Sequence, residues 1–328
     1  MTTQQAFKKI VEAKTAAALF GDDKNAMFKR LAKLVHPDMV DGKMKARAHE
    51  AFTKLNRLYA EANGKTEPFS IMKIGSWIVK GSLAKGEIAD LYGAVSEKDD
   101  EAVFKIARAA KDNDLMEAEA ESLKKLWRSA TTDNFKKYLP QMFESFKASG
   151  RRVNVLMSAG KYHRSLVDIL SQYPGGLDFR HIVWMMNRLL SVLGYIHEQG
   201  IVHGAILPEH LLYQTEDHGL MLVDWCYSVE QGKPIRAIVK AHKSYYPPEV
   251  LKKRGASPAT DIYMAAKVML LAAERVPIRF RALLEEWCLV ESVRARPQDA
   301  WGLQERWETL AKEEYGSPKY VRLEMAVH

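Results

Sequence analysis

The chain has 328 residues, 47% of them hydrophobic and 27% charged, with a net charge of +8. That balance excludes a disordered or fibrous chain, and the length suits a small domain joined to a medium one. Cys226 and Cys288 are too few for a disulfide framework, no apolar run reaches the roughly 18 residues that span a bilayer, and MTTQQAFKKIVEAK holds no apolar leader, so a cytoplasmic protein is expected.

Residues 4–62 read as three helices. The first, Gln4–Phe20, carries Phe7, Ile10, Val11, Ala17, Ala18 and Leu19 on one stripe and stops at Gly21. Asp22 and Asp23 offer an N-cap for Lys24–Val35, whose apolar face is Met27, Phe28, Leu31, Leu34 and Val35 and whose opposite face is Lys24, Lys29, Arg30 and Lys33. Pro37 ends that helix, and Lys43–Ala62 places Ala48, Phe52, Leu55, Leu58 and Tyr59 on a third stripe. The first 67 residues hold thirteen Lys and Arg against eight Asp and Glu, a basic surface suited to an acidic protein partner. No zinc-finger spacing or aromatic-interleaved basic stripe accompanies it, so nucleic acid is not expected as a ligand.

The polar run Asn63–Ser70, broken by Gly64 and Pro68, closes the helical region, and the domains are drawn as 1–67, a linker at 68–75, a second domain at 76–316 and a tail at 317–328. Strand-like runs follow at Ser76–Val79, Ile88–Val95, Ala102–Ile106 and Val153–Met157, with a helix at Leu115–Trp127. Beyond Tyr173 the chain turns to long periodic helices: Phe179–Gln199, Ala259–Ala273, Arg279–Trp287 and Gln298–Lys312. The reading is α+β, a helical hairpin followed by a bilobal domain with a β-rich and then an α-rich half.

FKRLAKLVHPD, followed by a helix containing AFTKLNRLY, resembles the J-domain family of co-chaperones. The resemblance implies that His36, Pro37 and Asp38, aided by Lys29, Arg30 and Lys33, contact a DnaK-type chaperone and stimulate its ATPase. Pro37 fixes a rigid corner from which a His donor and an Asp carboxylate project, and the basic face adds long-range attraction.

IVHGAILPEHLLY, LMLVDWC, YYPPE and TDIYMAAKVM occur in the order and spacing of the protein-kinase C-lobe, which residues 76–312 resemble. The resemblance maps AKGEIADLY onto the Gly-rich loop with Gly86 retained, AVFK onto the strand bearing an ATP-anchoring lysine, Lys105, and EAESLKKL onto the helix whose Glu119 pairs with it. Asp224 stands as the Mg²⁺ ligand, Glu249 and Arg296 as a buried ion pair, Asp261 as the carboxylate bracing the catalytic loop, and His203 as that loop's packing histidine. The transfer positions depart from the family. Ala205 replaces the proton-accepting Asp, Leu207 the phosphate-contacting Lys, His210 the second-metal Asn, and Gly204 the Arg beside the base. Loss of a general base costs roughly 10²–10⁴ in rate and alone would leave a slow enzyme; with the phosphate-contacting Lys and the second-metal ligand lost as well, no catalytic residue is expected.

The reading that follows is a monomeric cytoplasmic adaptor. A J-domain recruits the chaperone, and a pseudokinase domain holds a partner protein, with ATP and Mg²⁺ as expected ligands of the nucleotide site. The enzymatic alternative is an atypical ATP-dependent phosphotransferase that uses Lys105 and Asp224 with Glu209 or His210 as substitute base.

Overall fold

The computed structural model describes residues 2–13, 15–21, 23–35, 48, 51–52, 54–55, 58–59, 62, 72–129, 134–160 and 162–325. Two compact units emerge, one of residues 1–83 and 92–99, the other of residues 84–91 and 100–328.

In the first unit the expected helix Gln4–Phe20 is two helices, α1 (Thr3–Glu12) and α2 (Ala16–Phe20). Capping explains the division. Thr2 closes a capping box with Gln5 at the start of α1, while the Thr15 hydroxyl accepts the Ala18 N–H at 3.3 Å and begins a new helix. α3 (Lys24–Val35) follows, and the described residues between 48 and 62 are helical. These run antiparallel: the Lys24 ammonium donates to the Ala62 carbonyl at 2.7 Å, and the Phe28 and Tyr59 rings stack at 4.0 Å. Phe7, Ile10, Leu19, Leu31, Val35, Leu55 and Leu58 form the core, whereas Lys29, Arg30 and Lys33 are exposed. His36, Pro37 and Asp38 lie outside the described residues, as does the run 63–70. The expected linker 68–75 holds β1 (Met72–Ile74), which pairs antiparallel with β2 (Trp77–Lys85) through a two-residue turn in which Gly75 has φ +59°. β3 (Ala89–Ser96) divides between the units.

The second unit holds β4 (Glu101–Ala107), α4 (Asn113–Arg128), β5 (Met142–Ala148) and β6 (Arg151–Met157), with β6 paired antiparallel to both β4 and β5. β5 was not expected from the sequence; its MFESFKA carries charge on exposed positions and leaves only a weak alternation. β7 (His163–Ser165) leads into α5 (Leu166–Gln172) and then α6 (Phe179–Glu198), the core helix. β8 (Ile201–Val202), β9 (Leu211–Gln214), β10 (Gly219–Leu222) and β11 (Val229–Glu230) are short pieces, with β9 between β7 and β10, and β8 paired to β11. Four helices complete the unit: α7 (Pro248–Leu251), α8 (Pro258–Ala272), α9 (Ile278–Ala282) and α10 (Ala300–Tyr315). The expected helix Arg279–Trp287 passes into π-helical turns at Leu283–Cys288, where Leu283, Leu284 and Cys288 are buried. Within the expected tail, residues 321–324 pack on the domain: Leu323 is buried, and Tyr173 and His218 donate to the Glu324 and Val321 carbonyls at 2.5 and 2.9 Å. Among the described residues no helix is long and apolar enough to cross a membrane.

α6 and α10 meet at a point that tolerates no β-carbon. One added at Gly194 would lie 2.4 Å from Trp301 Cε2, and the Trp301 indole N–H is held by Glu198 at 2.8 Å. Gly194→Val is therefore expected to destabilise the domain by about 1–3 kcal/mol through overpacking, read as a lower urea midpoint. An unchanged midpoint would mean that the indole moves aside freely.

Candidate functional site

The strand β4 places Lys105 directly across from Asn154 on β6, and both side chains turn inward beneath α4. The Lys105 ammonium, 4% exposed, donates to Glu119 Oε1 at 2.8 Å and also to Asp224 Oδ1. Glu119 is fully buried and well supplied with donors: Asn154 Nδ2 at 2.9 Å on Oε2 and the Trp225 backbone N–H at 3.2 Å on Oε1. Asn154 is itself held by the Met116 carbonyl at 2.8 Å and the Ser145 hydroxyl at 2.7 Å. Its role was not read from the sequence, where it is one polar residue within the apolar run of β6; that interruption at a buried position was the available signal.

Asp224 sits in the left-handed region, with φ +65°, just before a turn of 3₁₀ helix at Trp225–Tyr227. Its second oxygen, Oδ2, faces His210 Nε2 at 3.0 Å, and His210 Nδ1 faces the Ala205 carbonyl at 2.8 Å. Both neighbours can only accept, so the arrangement favours the charged form of the ring, which donates from both nitrogens. Burial opposes that charge, but the attraction and hydrogen bond of Asp224 outweigh it and raise the His210 pKa. Burial likewise opposes charge on Asp224, yet Lys105 and His210 hold its carboxyl well below the usual range; Lys105 is raised well above its own despite burial, chiefly by Asp224.

His203, seven residues earlier, is the opposite case. It accepts the Ala205 N–H on Nδ1 at 3.3 Å and donates from Nε2 to the Val223 carbonyl at 3.1 Å, a neutral ring with both nitrogens used. Burial pushes its pKa from 6.5 down to about 4. Below pH 6.5 the unfolded chain takes up a proton that the folded ring refuses, so this contribution is complete above pH 6.5 and lost as pH falls towards 4. It amounts to about 2 kcal/mol by pH 5. His210 pulls the other way, its contribution present below 6.5 and lost as pH rises through its raised value. The expected result is a smaller loss of urea stability between pH 7 and 5 in His203→Phe than in the parent chain. Equal losses would contradict it.

The loop between these histidines is braced from below. Asp261, fully buried at the start of α8, accepts the His203 and Gly204 backbone N–H groups at 2.8 Å each and the His197 ring at 3.0 Å. Gly204 has φ +75°, and a β-carbon there would come 2.8 Å from the Tyr227 carbonyl oxygen. Ala205 and Leu207 are fully buried in the apolar core. Glu209 lies 2.9 Å from His242, while its Oε2 is buried with no hydrogen-bond partner among the described residues. Glu249 and Arg296 form a two-pronged buried ion pair at 2.7 and 3.0 Å.

Two nucleotide-handling positions are occupied by contacts within the chain. The Gly86 N–H donates to the Ala89 carbonyl at 2.9 Å, and a β-carbon at Gly86 would lie 2.9 Å from that same oxygen, so glycine is required by the turn and its amide is spent there. Among the described residues the one cluster of possible metal-binding atoms is Glu119, Asp224 and Cys226, within 4.8 Å of one another. The Lys105 ammonium already bridges its two carboxylates. Mg²⁺ demands free oxygen ligands in near-octahedral array. With Lys105 on one oxygen of Asp224 and His210 on the other, the residues as arranged do not fit that ion. Cys226 is buried and its thiol is pushed well above the usual range by burial, an inert group.

Comparison with known sequences agrees with this geometry. The profile of the protein kinase domain matches residues 77–285. The chain is similar to a calcium/calmodulin-dependent protein kinase type 1 of Caenorhabditis elegans, 31% identical over 81 residues, and to the same enzyme of Macrobrachium nipponense, 32% identical over 81 residues; each match takes in 24% of the chain, and 23% and 24% of those proteins. It is also similar to the serine/threonine-protein kinase dkf-2 of Caenorhabditis briggsae, 25% identical over 198 residues, which is 58% of the chain and 16% of that protein. The chain thus spans about a quarter or less of the length of these relatives.

Proposed function

Because the chain belongs to the protein kinase domain family, whose members in general take ATP and Mg²⁺, we propose that its kinase-like domain binds ATP beside Lys105 and holds a partner protein without transferring phosphate. The observation that carries this reading is the catalytic loop itself. Where the family places a carboxylate, Ala205 is fully buried, and the neighbouring transfer positions are a buried Leu207 and a His210 held against Asp224 at 3.0 Å. Loss of such groups together leaves positioning without chemistry.

The N-terminal helices serve, in this proposal, as a J-domain. An antiparallel helix pair with Lys29, Arg30 and Lys33 exposed supports it, and His36, Pro37 and Asp38 supply the contact to a DnaK-type chaperone. The protein is then a monomeric cytoplasmic adaptor that brings the chaperone to the client of the kinase-like domain. Stimulation of chaperone ATP turnover by the full chain, lost in His36→Gln, is the expected result. Equal stimulation by that variant would sink the assignment.

The comparisons by themselves favour a second reading, since the relatives are named as protein kinases. Glu209 is its candidate base, four residues beyond Ala205, with one carboxylate oxygen buried and without a partner among the described residues. Incubation of the full chain with γ-labelled ATP and a generic acceptor protein separates the two. No labelled product is expected; transfer that disappears in Glu209→Gln would establish the phosphotransferase.

A further inference from the structure

We propose that a basic cavity of the second unit, walled by Lys137, His163, Arg188 and His218, binds a small phosphate-bearing anion, either free phosphate or a phosphate monoester. The inference is independent of the ATP-binding reading, since neither Lys105 nor any residue of the catalytic loop lines this cavity. Its volume of 290 Å³ lies at the lower end of the ~300–1,000 Å³ common for ligand sites, which leaves room for a phosphate group with a few further atoms rather than for a nucleotide.

Four separate elements supply the basic groups. Lys137 comes from the 3₁₀ turn Lys136–Tyr138, His163 from the first residue of β7, Arg188 from the middle of α6 and His218 from the turn between β9 and β10. Arg188 is the most informative of them. It is half-buried, and among the described residues it has neither a hydrogen bond nor an ion pair, whereas Arg152, Arg180, Arg279, Arg281 and Arg296 each hold a carboxylate. Drawing a guanidinium partly out of water costs free energy that only an acceptor returns, and its planar fork of donors matches phosphate oxygens in pairs.

The other walls are prepared in the same sense. The Lys137 ammonium lies over the Tyr138 ring at 5.2 Å and has no carboxylate partner among the described residues. Gln214, directly across from His163 in the sheet, spends its Oε1 on the Glu216 and Asp217 N–H groups at 2.8 and 2.6 Å, which leaves its Nε2 as a donor for a ligand. His218 is fixed in place, stacked on Trp184 at 4.0 Å and on Tyr320 at 4.6 Å, with Nε2 on the Val321 carbonyl at 2.9 Å. Asp217, the acidic member of the lining, is exposed and turns Oδ1 to the Gly219 N–H at 2.9 Å. A phosphate dianion seated here takes charge-assisted bonds from Lys137 and Arg188 and gives the cavity the counter-charge it lacks.

Calorimetric titration of the full chain with inorganic phosphate, and separately with glycerol phosphate, at constant ionic strength is the test. Saturable binding of at least one is expected, with a dissociation constant of about 1 mM or below, and the tighter of the two names the source of the phosphate group. Arg188→Gln is expected to weaken it by about tenfold or more and Lys137→Gln by about threefold or more. Lys252→Gln, which removes an exposed charge outside the cavity, should leave it within about twofold. No saturable binding of either titrant overturns the inference. Binding that survives unchanged in both cavity variants also overturns it, because the phosphate then sits elsewhere, the surroundings of Lys105 included. Acetate bound as tightly as phosphate overturns the assignment to a phosphate group. Lys137 is exposed, so its variant decides the question even where Arg188→Gln melts early.

Discussion

Arg296→Met is expected to cost the kinase-like domain about 3–5 kcal/mol, because it strands the buried Glu249 carboxylate without its cation. The guanidinium is unusually well used. Beyond its two bonds to Glu249 it donates to the Val290 carbonyl at 2.7 Å and the Glu291 carbonyl at 2.9 Å, and its plane lies over the Tyr263 ring at 4.7 Å. Among the described residues Glu249 then retains the Thr260 hydroxyl at 3.1 Å. A fall in melting temperature of roughly 10 °C follows for a domain of this size. The double variant Arg296→Met, Glu249→Met should recover much of that loss, since a buried pair replaced by apolar side chains is often close to neutral. A single variant that melts with the parent chain would show that water reaches Glu249.

Lys105→Met carries the second large effect, and it has two readouts. Removal of the ammonium leaves Glu119, fully buried, facing Asp224 with no cation between them, and about 3–5 kcal/mol of stability is expected to go with it. ATP binding should disappear as well. Adding Glu119→Gln to Lys105→Met separates the two: the amide keeps the Asn154 region packed and relieves the stranded charge, so stability returns in part while ATP binding does not. Recovery of both would mean that Lys105 acts on ATP only through the fold.

The architecture of the second unit was largely legible because its helices are long and strongly periodic. The periodicity predicts helices over Phe179–Gln199 and Ala259–Ala273, and the structure has them at Phe179–Glu198 and Pro258–Ala272. Short elements escaped where charge masks alternation, as in β5, or where a single Thr15 cap divides one stripe into two helices. The pairing of Lys105 with Glu119 could be expected from registered strings. The bond between His210 and Asp224 could not. The sequence marks His210 as a poor ligand for a hard cation, but that its ring meets the aspartate depends on a left-handed backbone at Asp224 and on the short β9 and β10 strands that join the two loops. The sequence shows which residue types stand at these positions; only geometry shows which of them meet.

Gly204 limits what this position of the loop can become. The residue lies at φ +75° with the Tyr227 carbonyl 2.8 Å from where a β-carbon would be, so any larger residue there strains the backbone and collides with a neighbour that cannot yield cheaply. Restoring an arginine beside Ala205 would first unsettle the loop that Asp261 holds. At this one position, then, a change to arginine passes through a less stable protein unless the Tyr227 segment moves with it.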